Sequence, residues 1–293
     1  MNFSVKKAVF PVAGMGIRFL PATIASPKEM LPIVDKPLIQ YAVEEAIKAG
    51  LTEIIFVTNS RKHEIESHFD SHYELEKKLL EQGKKEQYDM LQSIVPPNIH
   101  FSYVHQRETL GLGHAILCAK HIVGNEPFAV LLADDLIDDT TSPCLSEIVQ
   151  QYEQTGHSYV AVQTVPDQDV NKYGIVDVVN TENQKNRIKA IIEKPSLDEA
   201  FSNFAAIGRY IFTSEIFDCL EKTSPRCNNE IQLTDAIAKL IHLQPVEAFF
   251  FNGQRYDCGS KLGYMKANVE FALRHAEIGP AFHEEMRLWI SKI

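Results

Sequence analysis

The amino-acid sequence predicts an α/β fold with a mixed, mainly parallel central sheet and C-terminal helices. Through the first half of the chain, short apolar runs alternate with stretches of helical spacing. That alternation is the pattern of right-handed βαβ crossovers on a parallel sheet. In the second half, strand-like runs follow one another closely, with turn residues between them. Such strands usually pair antiparallel, and they often extend a parallel sheet.

The first half contains apolar runs that predict strands and periodic stretches that predict helices. Strands are predicted at residues 8–12, 54–57, 99–104 and 128–133, and helices at 37–49, 62–69 and 111–122. Proline suits the first helical turn and glycine suits the residue after the last, so the helix from Pro37 is predicted to end before Gly50. Residues 73–92 are strongly charged but keep apolar residues at helical spacing, which predicts a solvent-exposed helical insertion.

The second half predicts strands at residues 159–165, 174–179, 187–193, 207–212 and 246–251, and helices at 233–241, 262–276 and 282–290. No internal repeat or flexible linker separates these elements, which predicts a single domain over residues 1–293. In the last helix Phe282, Met286, Trp289 and Ile290 lie on one face. We expect this face to pack against its own domain, and self-association is the alternative.

The charge and hydropathy of the chain exclude several classes of partner. Lysine and arginine total 29 against 39 aspartate and glutamate residues, a net charge of −10. This balance argues against a nucleic-acid partner and against attraction to anionic membranes. No apolar stretch approaches the about 18 residues that span a bilayer, and the amino-terminal residues lack the apolar core of a signal peptide.

The cysteines are scattered and form no C-x-x-C pair. An odd, scattered set is typical of reduced thiols in the cytoplasm and not of a disulfide framework or a zinc ribbon. We therefore expect a cytoplasmic protein with free thiols at Cys118, Cys144, Cys219, Cys227 and Cys258.

A glycine-containing turn follows the first predicted strand and is the strongest local motif. Gly14 and Gly16 allow the backbone to approach a ligand closely, and Arg18 can donate to a phosphate. The turn is not a Walker A loop, because no Gly-Lys-Ser/Thr follows it. Phe19 stands where a dinucleotide motif has its third glycine. From spacing alone, phosphate or nucleotide binding and a plain tight turn remain equally open.

Two carboxylates follow the apolar strand that is predicted at 128–133. Ligand sites of open α/β sheets lie at the carboxyl ends of strands, so Asp134 is a candidate Mg²⁺ ligand, with Asp257 as a second. Apolar residues precede Asp134 and leave it few structural partners. A helix cap or an ordinary turn residue is the alternative interpretation of Asp134.

Four polar residues in three other segments are further candidates. Lys28 lies between two prolines on a stiff segment, although an exposed loop lysine is the simpler interpretation. Glu193 and Lys194 end a predicted strand with their side chains on opposite faces, and Lys194 could meet a phosphate there. Gln106 begins a glycine-containing connection, where an amide could contact a base edge or Gly113 could simply begin a helix.

Taken together and in order, these segments resemble the bacterial UTP–glucose-1-phosphate uridylyltransferases, also called UDP-glucose pyrophosphorylases. The resemblance covers Lys7 to about His275 and rests on residues 13–18, 27–32, 106–113, 132–134, 193–195, 230–237, 256–259 and 261–265. The wider segment 69–97, which contains the predicted helical insertion, is also similar to that family. It is shorter or absent in thymidylyl-transferring relatives.

The resemblance implies a Rossmann-like nucleotidyltransferase fold. Its nucleotide-binding half would span about residues 1–135, its sugar-phosphate-binding half about 136–260, and its C-terminal helices about 261–293. It further implies Mg²⁺-dependent transfer of a uridylyl group from UTP to glucose 1-phosphate, which yields UDP-glucose and pyrophosphate. A homodimer or homotetramer is the assembly that the resemblance implies.

The resemblance also assigns roles to individual residues. Nucleotide contacts are implied for Ala13, Gly14, Gly16, Gln106 and Gly111, and phosphate contacts for Arg18, Lys28 and Lys194. Sugar contacts are implied for Gly174, Glu193 and Gly208, and Mg²⁺ contacts for Asp134 and Asp257.

Ile17 departs from the resemblance, since the family usually has threonine before the arginine. A hydrogen bond to a charged group that is lost in the transition state costs about 1.5–3 kcal/mol, or roughly 10- to 100-fold in rate. Ile24 also differs from the usual residue, whereas Arg18 is retained, so we expect an active enzyme. The alternatives are a catalytically weak regulatory paralogue and a thymidylyltransferase, because uracil and thymine differ by one methyl group.

Overall fold

A computed structural model describes residues 4–138, 143–181, 184–226 and 229–292. Cys118, Cys144, Cys219 and Cys258 form no disulfide among the described residues, as predicted, and Cys227 lies outside those residues. Within the described residues, no helix is both long and apolar enough to cross a membrane.

The described residues form strands β1 to β13 and helices α1 to α11, numbered in chain order. The strands are Lys7–Pro11, Pro32–Ile33, Lys36–Pro37, Glu53–Thr58, His100–His105, Phe128–Leu131, Asp135–Ile137, Ser158–Thr164, Gly174–Thr181, Gln184–Glu193, Phe204–Phe212, Val246–Phe250 and Arg255–Asp257. The helices are Leu38–Lys48, His63–His68, Tyr73–Glu81, Lys85–Ile94, Gly111–Cys118, Lys120–Val123, Cys144–Thr155, Glu215–Glu221, Leu233–Leu240, Lys261–Arg274 and Gly279–Ile290.

One nine-stranded sheet runs through both halves of the chain in the order β5-β4-β1-β6-β11-β8-β12-β10-β9. The strands β5, β4, β1 and β6 are parallel, as are β8 and β12. Only β11 and β10 run against the other strands of this sheet. The predicted α/β fold with a mixed, mainly parallel sheet and C-terminal helices is therefore confirmed. The predicted division near residues 135 and 260 stays a prediction.

Helices cover both faces of the sheet because side chains alternate along each strand. In β1, Ala8 and Phe10 pack on one face with α1 and α7, whereas Val9 packs on the other with α5, α8 and α9. Strands β1, β4 and β6 are largely apolar on both faces for this reason, as is usual for parallel strands, whereas the edge strand β5 is partly exposed. Because these strands are parallel, their carboxyl ends lie at the same edge of the sheet, where the connecting loops can form a site.

Two predicted helices are interrupted in the structure. The stretch at 73–92 forms α3 and α4, which are separated near Gly83, where φ is +68°. A left-handed residue ends an α-helix, and glycine adopts that conformation without strain. The stretch at 111–122 likewise forms α5 and α6, which are separated at Ala119.

The expectation that the last helix packs its apolar face against its own domain is wrong. Trp289 is 50% exposed and Ile290 is exposed as well, although Phe282 and Met286 are partly covered. Helical spacing fixes which residues share a face, but it does not say whether another element lies opposite that face. Self-association through α11 stays a prediction.

A buried ion pair joins α1 to the centre of the sheet. The Arg209 guanidinium on β11 donates to both carboxylate oxygens of Glu45 on α1, the shortest contact being 2.6 Å. Its remaining N–H groups donate to the carbonyls of Leu132, Gly208 and Asp135 at 2.9–3.0 Å. Residues 132–135 form the turn between β6 and β7, so this arginine fixes the turn that follows the central strand.

We expect Glu45→Gln to destabilise the protein by about 3–5 kcal/mol, because removing one partner leaves the Arg209 charge buried and uncompensated. The free energy of unfolding from urea denaturation measures this loss. As a control, Glu81→Gln removes a carboxylate from the exposed Lys77–Glu81 pair. That change is expected to cost less than about 1 kcal/mol. Equal, small losses in both variants would contradict the central role of the Arg209–Glu45 pair.

Candidate active site

The candidate site lies where the glycine turn after β1 meets the turn between β6 and β7. Both turns follow the carboxyl ends of parallel neighbours in the sheet, which is where open α/β folds bind ligands. The small sheet of β7 and β13 brings Asp257 to the same edge, with Asp257 paired opposite Asp135. Helix α10 packs Ala267 beside this sheet, together with Leu136 and Tyr256.

The glycine turn is held in place by side chains from neighbouring segments. The Asn59 amide donates to the Ala13 carbonyl at 2.8 Å, and the Thr23 hydroxyl donates to the Gly16 carbonyl at 2.9 Å. Gly16 has φ of +65°, and a Cβ there would sit 3.2 Å from Cβ of Lys28. The turn therefore needs glycine at 16 both for its conformation and for its contact with Lys28.

A buried ion pair lies under this turn. The Lys62 ammonium contacts the Glu29 carboxylate at 2.7 Å, with side chains 7% and 2% exposed, and it also donates to the Val12 carbonyl. Burial lowers the pKa of Lys62 more than Glu29 raises it. Neither residue is predictable as part of the site, because nothing in the sequence indicates that loop residue 29 and helix-flanking residue 62 meet.

Lys28 and Asp134 form the central ion pair of the site, at 2.6 Å. Burial lowers the pKa of Lys28, but the Asp134 and Glu29 carboxylates outweigh it and raise that pKa to about 12. Burial also opposes ionisation of Asp134, but Lys28 and Arg18 hold its pKa below the usual range. The expectation that Asp134 has few structural partners is therefore wrong, because its partner comes from a distant loop.

Asp134 and Asp257 converge on one open position. A Cβ at Gly259 would sit 3.0 Å from Oδ2 of Asp134, 3.0 Å from Oδ1 of Asp257 and 3.4 Å from Nη1 of Arg18. Glycine leaves this space empty, and two carboxylates suit a hard divalent cation whose other ligands are phosphate oxygens or water. In the described part of the chain, no group of three or more His, Cys, Asp or Glu side chains could hold a metal by itself.

A cavity of 320 Å³ lies on one side of these charges. Its walls include Ala13, Gly14, Gly16, Gln106 and Gly111, the five residues for which nucleotide contacts are implied. The Gln106 amide nitrogen lies 3.2 Å from the Gly111 carbonyl and 2.9 Å from Nδ1 of His114. Its carbonyl oxygen has no partner among the described residues. Gly111 has φ of +90° and no room for a Cβ, which would lie 2.9 Å from Cβ of Glu230.

A larger cavity of 870 Å³ lies on the other side, and its walls include Lys194, Tyr173 and Asp257. The prediction that Glu193 and Lys194 point to opposite faces is wrong. The strand ends at Glu193, and Lys194 has φ of +49°, so the chain turns there. The Lys194 ammonium consequently contacts the Glu193 carboxylate at 3.1 Å.

The three residues with implied sugar contacts lie near this larger cavity. Gly174 pairs with Glu193 across the β9–β10 ladder, and Oε2 of Glu193 accepts a hydrogen bond from Thr234. Gly208 donates its backbone N–H to Oδ2 of Asp135 at 2.8 Å. A Cβ at Gly208 would sit 2.6 Å from Cβ of Leu132, which lines the cavity.

Arg255 and Tyr173 are site residues that the sequence analysis missed. The buried Arg255 guanidinium donates to Asp135 at 2.7 Å and to the Tyr173 hydroxyl at 3.0 Å. Burial lowers the pKa of Arg255, but Asp135, Tyr173 and Asp257 together outweigh it and raise that pKa. Burial and the Asp135 carboxylate raise the pKa of Asp257, whereas Arg255 opposes them. The only sequence signal was the position of Arg255 two residues before Asp257.

A third cavity of 170 Å³ connects the other two. It shares Gly16 and Ile17 with the smaller cavity and Arg18 and Asp134 with the larger one. Arg18, Lys28 and Asp134 line this junction, and among the described residues no paired nucleophile and base line it. The arrangement suits the transfer of a charged group between two ligands that bind side by side.

Comparisons with known proteins agree with this arrangement. A family model described as nucleotidyl transferase matches residues 7–273. The chain is 48% identical over 289 residues to the UTP–glucose-1-phosphate uridylyltransferase of Escherichia coli K12, with 96% of this chain and 95% of that relative covered.

Two solved structures are also similar to the chain. One is a UTP-bound UDP-glucose pyrophosphorylase from Acinetobacter baumannii, with a TM-score of 0.88, 44% identity and coverage of 96% of this chain and 98% of that one. The other is a UDP-glucose pyrophosphorylase complexed with UDP-glucose, with a TM-score of 0.84, 43% identity and coverage of 92% and 100%.

We expect Gly259→Ala to weaken Mn²⁺ binding by about 10- to 100-fold, the range seen when the surroundings of metal ligands are disturbed. The added methyl group would occupy the position on which Asp134 and Asp257 converge. Electron paramagnetic resonance of free Mn²⁺ in a titration of the purified protein measures the affinity.

Gly14→Ala is the matched control, because a Cβ at Gly14 would find no atom within 4 Å. Its Mn²⁺ affinity is expected to match that of the unmodified chain. If Gly259→Ala also binds Mn²⁺ unchanged, the cation does not lie between the two carboxylates.

Proposed function

The chain belongs to the nucleotidyl transferase family, and we propose that it transfers the uridylyl group of UTP to glucose 1-phosphate, giving UDP-glucose and pyrophosphate. The observation that carries this function is the third cavity, which shares Gly16 and Ile17 with the smaller cavity and Arg18 and Asp134 with the larger one. The UTP-bound and UDP-glucose-bound relatives support the two substrates.

The reaction is a direct in-line displacement. A phosphate oxygen of glucose 1-phosphate attacks the α-phosphorus of UTP and forms the new P–O bond. The bond from the α-phosphorus to the bridging oxygen breaks, and pyrophosphate leaves with that electron pair. The attacking phosphate is already ionised at neutral pH, so the residues supply position and charge. This requirement explains why the site contains glycines, cations and carboxylates.

The smaller cavity would hold the nucleoside. Backbone groups of Ala13 and Gly14 would contact the uracil and ribose, and the free carbonyl oxygen of Gln106 can accept the N3–H of uracil. Thymine presents the same N3–H. Discrimination between UTP and dTTP therefore depends on the walls around the base and ribose and not on this hydrogen bond.

Arg18 and Lys28 would neutralise the triphosphate at the junction. Asp134 holds the Lys28 ammonium at the junction of the cavities, where the phosphates would bind. Asp134 and Asp257 would hold Mg²⁺, which neutralises phosphate charge when bound. The Asp134 carboxylate, which accepts a hydrogen bond from Lys28 at 2.6 Å, would supply an oxygen ligand to that cation.

The larger cavity would hold glucose 1-phosphate. Lys194 would contact its phosphate, and the Glu193 carboxylate and the backbone at Gly174 and Gly208 would contact the sugar. The turn at Lys194 keeps its ammonium beside Glu193, so one short segment would contact both the phosphate and the sugar. Homo-oligomerisation, cytoplasmic localisation and the absence of nucleic-acid and membrane partners stay predictions.

The purified chain is expected to release pyrophosphate from UTP in the presence of glucose 1-phosphate and Mg²⁺, and EDTA is expected to abolish release. Asp134→Asn should lower kcat/KM by about 100- to 1,000-fold, the range for loss of one charge-stabilising group. Asp70→Asn, at an exposed surface carboxylate, is the control and should keep full activity.

A coupled pyrophosphate assay with UTP and dTTP side by side measures these rates. Preference for dTTP would favour the thymidylyltransferase alternative. EDTA-resistant release, or full activity of Asp134→Asn, would contradict the proposed site.

Ile17 is the residue that bears on the regulatory alternative. It is 67% exposed and lines both the nucleotide cavity and the junction, where a threonine hydroxyl could donate to a phosphate. We expect Ile17→Thr to raise kcat by about 10- to 100-fold, the worth of one charge-assisted hydrogen bond in the transition state.

Ile24→Thr is the matched control, since Ile24 lies on the same loop and lines none of the three cavities described above. Its kcat should equal that of the unmodified chain. A chain with negligible activity that Ile17→Thr restores would favour a regulatory paralogue, whereas an unchanged kcat would mean that the missing hydroxyl plays no part.

A further inference from the structure

We propose that Arg255 is a positioning residue that holds together the walls of the sugar-phosphate cavity through Asp135 and Tyr173. The inference rests on the proposed function, because it assigns that cavity to glucose 1-phosphate. Arg255 lines this cavity, but its side chain is only 4% exposed, so it acts through its two partners. It lies outside the set of residues for which the family resemblance implies roles.

The first observation is the double contact of the Arg255 guanidinium. Nη1 donates to Oδ1 of Asp135 at 2.7 Å, and Nη2 donates to the Tyr173 hydroxyl at 3.0 Å. The guanidinium also lies over the Tyr173 ring, 5.1 Å from its centroid. With its side chain 4% exposed, Arg255 is committed to these two partners. A planar guanidinium suits such a double contact better than an ammonium.

The second observation is a hydrogen bond from the backbone of β11 to the other carboxylate oxygen of Asp135. Oδ2 accepts the backbone N–H of Gly208 at 2.8 Å, at the point where the β11–β8 register shifts between Ala206 and Tyr210. A strand irregularity leaves backbone groups outside the ladder, and a side chain must satisfy them. Arg255 therefore fixes the carboxylate that holds Gly208, one of the expected sugar contacts.

The third observation is the position of Tyr173. Its backbone carbonyl accepts the N–H of Lys194 at 2.9 Å, and it directly precedes Gly174. Its hydroxyl lies 3.5 Å from Oδ2 of Asp257. Arg255 orients the Tyr173 side chain, and the Tyr173 backbone is hydrogen-bonded to Lys194. Arg255 therefore helps to position the segment that carries the expected phosphate ligand, Lys194.

Charge balance supports the same role. Asp135 and Asp257 lie directly opposite each other in the β7–β13 pair, where like charges repel. Arg255 lies two residues before Asp257, and alternation along β13 puts both side chains on one face. Its positive charge pairs directly with Asp135 and so offsets the repulsion from the Asp135 side of this pair.

Arg255 is absent from the walls of the nucleotide cavity. Its loss should therefore weaken sugar-phosphate binding selectively. We expect Arg255→Met to raise KM for glucose 1-phosphate by about 10- to 100-fold, the order of effect of a small displacement of substrate-positioning groups. KM for UTP should stay within about 3-fold. Arg255→Lys keeps the charge but cannot make both contacts, so it should restore only part of the loss.

Isothermal titration calorimetry with UDP-glucose and with UTP measures the same split without turnover. Arg255→Met should lose affinity for UDP-glucose and keep affinity for UTP. A wild-type chain that releases no pyrophosphate would refute the proposed function, while the two affinities would still test Arg255. Arg287→Met, at an exposed arginine of α11, is the matched control for both measurements.

Tyr173→Phe removes only the hydroxyl contact and is the milder variant if Arg255→Met does not fold. It should raise KM for glucose 1-phosphate and leave KM for UTP unchanged, and its effect should not add to that of Arg255→Met. Equal losses for both substrates, a fall in melting temperature without a selective change in KM, or no change at all would overturn the proposal.

Discussion

Arg209 places a guanidinium among the backbone carbonyls of Leu132, Gly208 and Asp135, and Glu45 supplies its counter-charge from α1. Three segments that are far apart in the chain meet at this one side chain. Because burial of an unpaired charge is costly, the turn at residues 132–135 has little freedom to move while the pair is intact. Asp134 belongs to that turn, so the geometry of the site depends on an ion pair that touches no substrate.

The site repeats this arrangement of paired charges on a smaller scale. Asp134 has Lys28, Asp135 has Arg255, and Glu29 has Lys62. The pairs differ in burial, and that difference separates their roles. Lys62 is enclosed and holds the Val12 backbone, and Arg255 is enclosed and holds the side chains of Asp135 and Tyr173. Lys28 and Asp134, in contrast, face the junction of the cavities. In the proposed reaction, the phosphates and the cation enter at the pair that is still accessible to them.

Most of the fold and the outline of the site were predictable from particular features of the sequence. Apolar runs such as 128–131 mark buried strands, and Gly14, Gly16 and Asp134 follow such runs at the edge where ligands bind. The errors have a common cause. The orientation of Lys194, the partner of Asp134 and the exposure of α11 each depend on what lies opposite in space, and periodicity along one segment contains no such information. Glu29, Lys62, Arg209 and Arg255 were missed for the same reason.

The sequence by itself determined the alternation of strands and helices, the positions of the glycine turn and its carboxylates, and the resemblance that assigns a chemistry to them. These are local properties, since spacing and residue type act within a few residues of each other. The tertiary structure alone decided which charges pair, how the three cavities connect, and that Arg255 holds Asp135 and Tyr173 together. Those features join residues that are tens to hundreds of positions apart, and only the packing of the sheet and its helices brings them into contact.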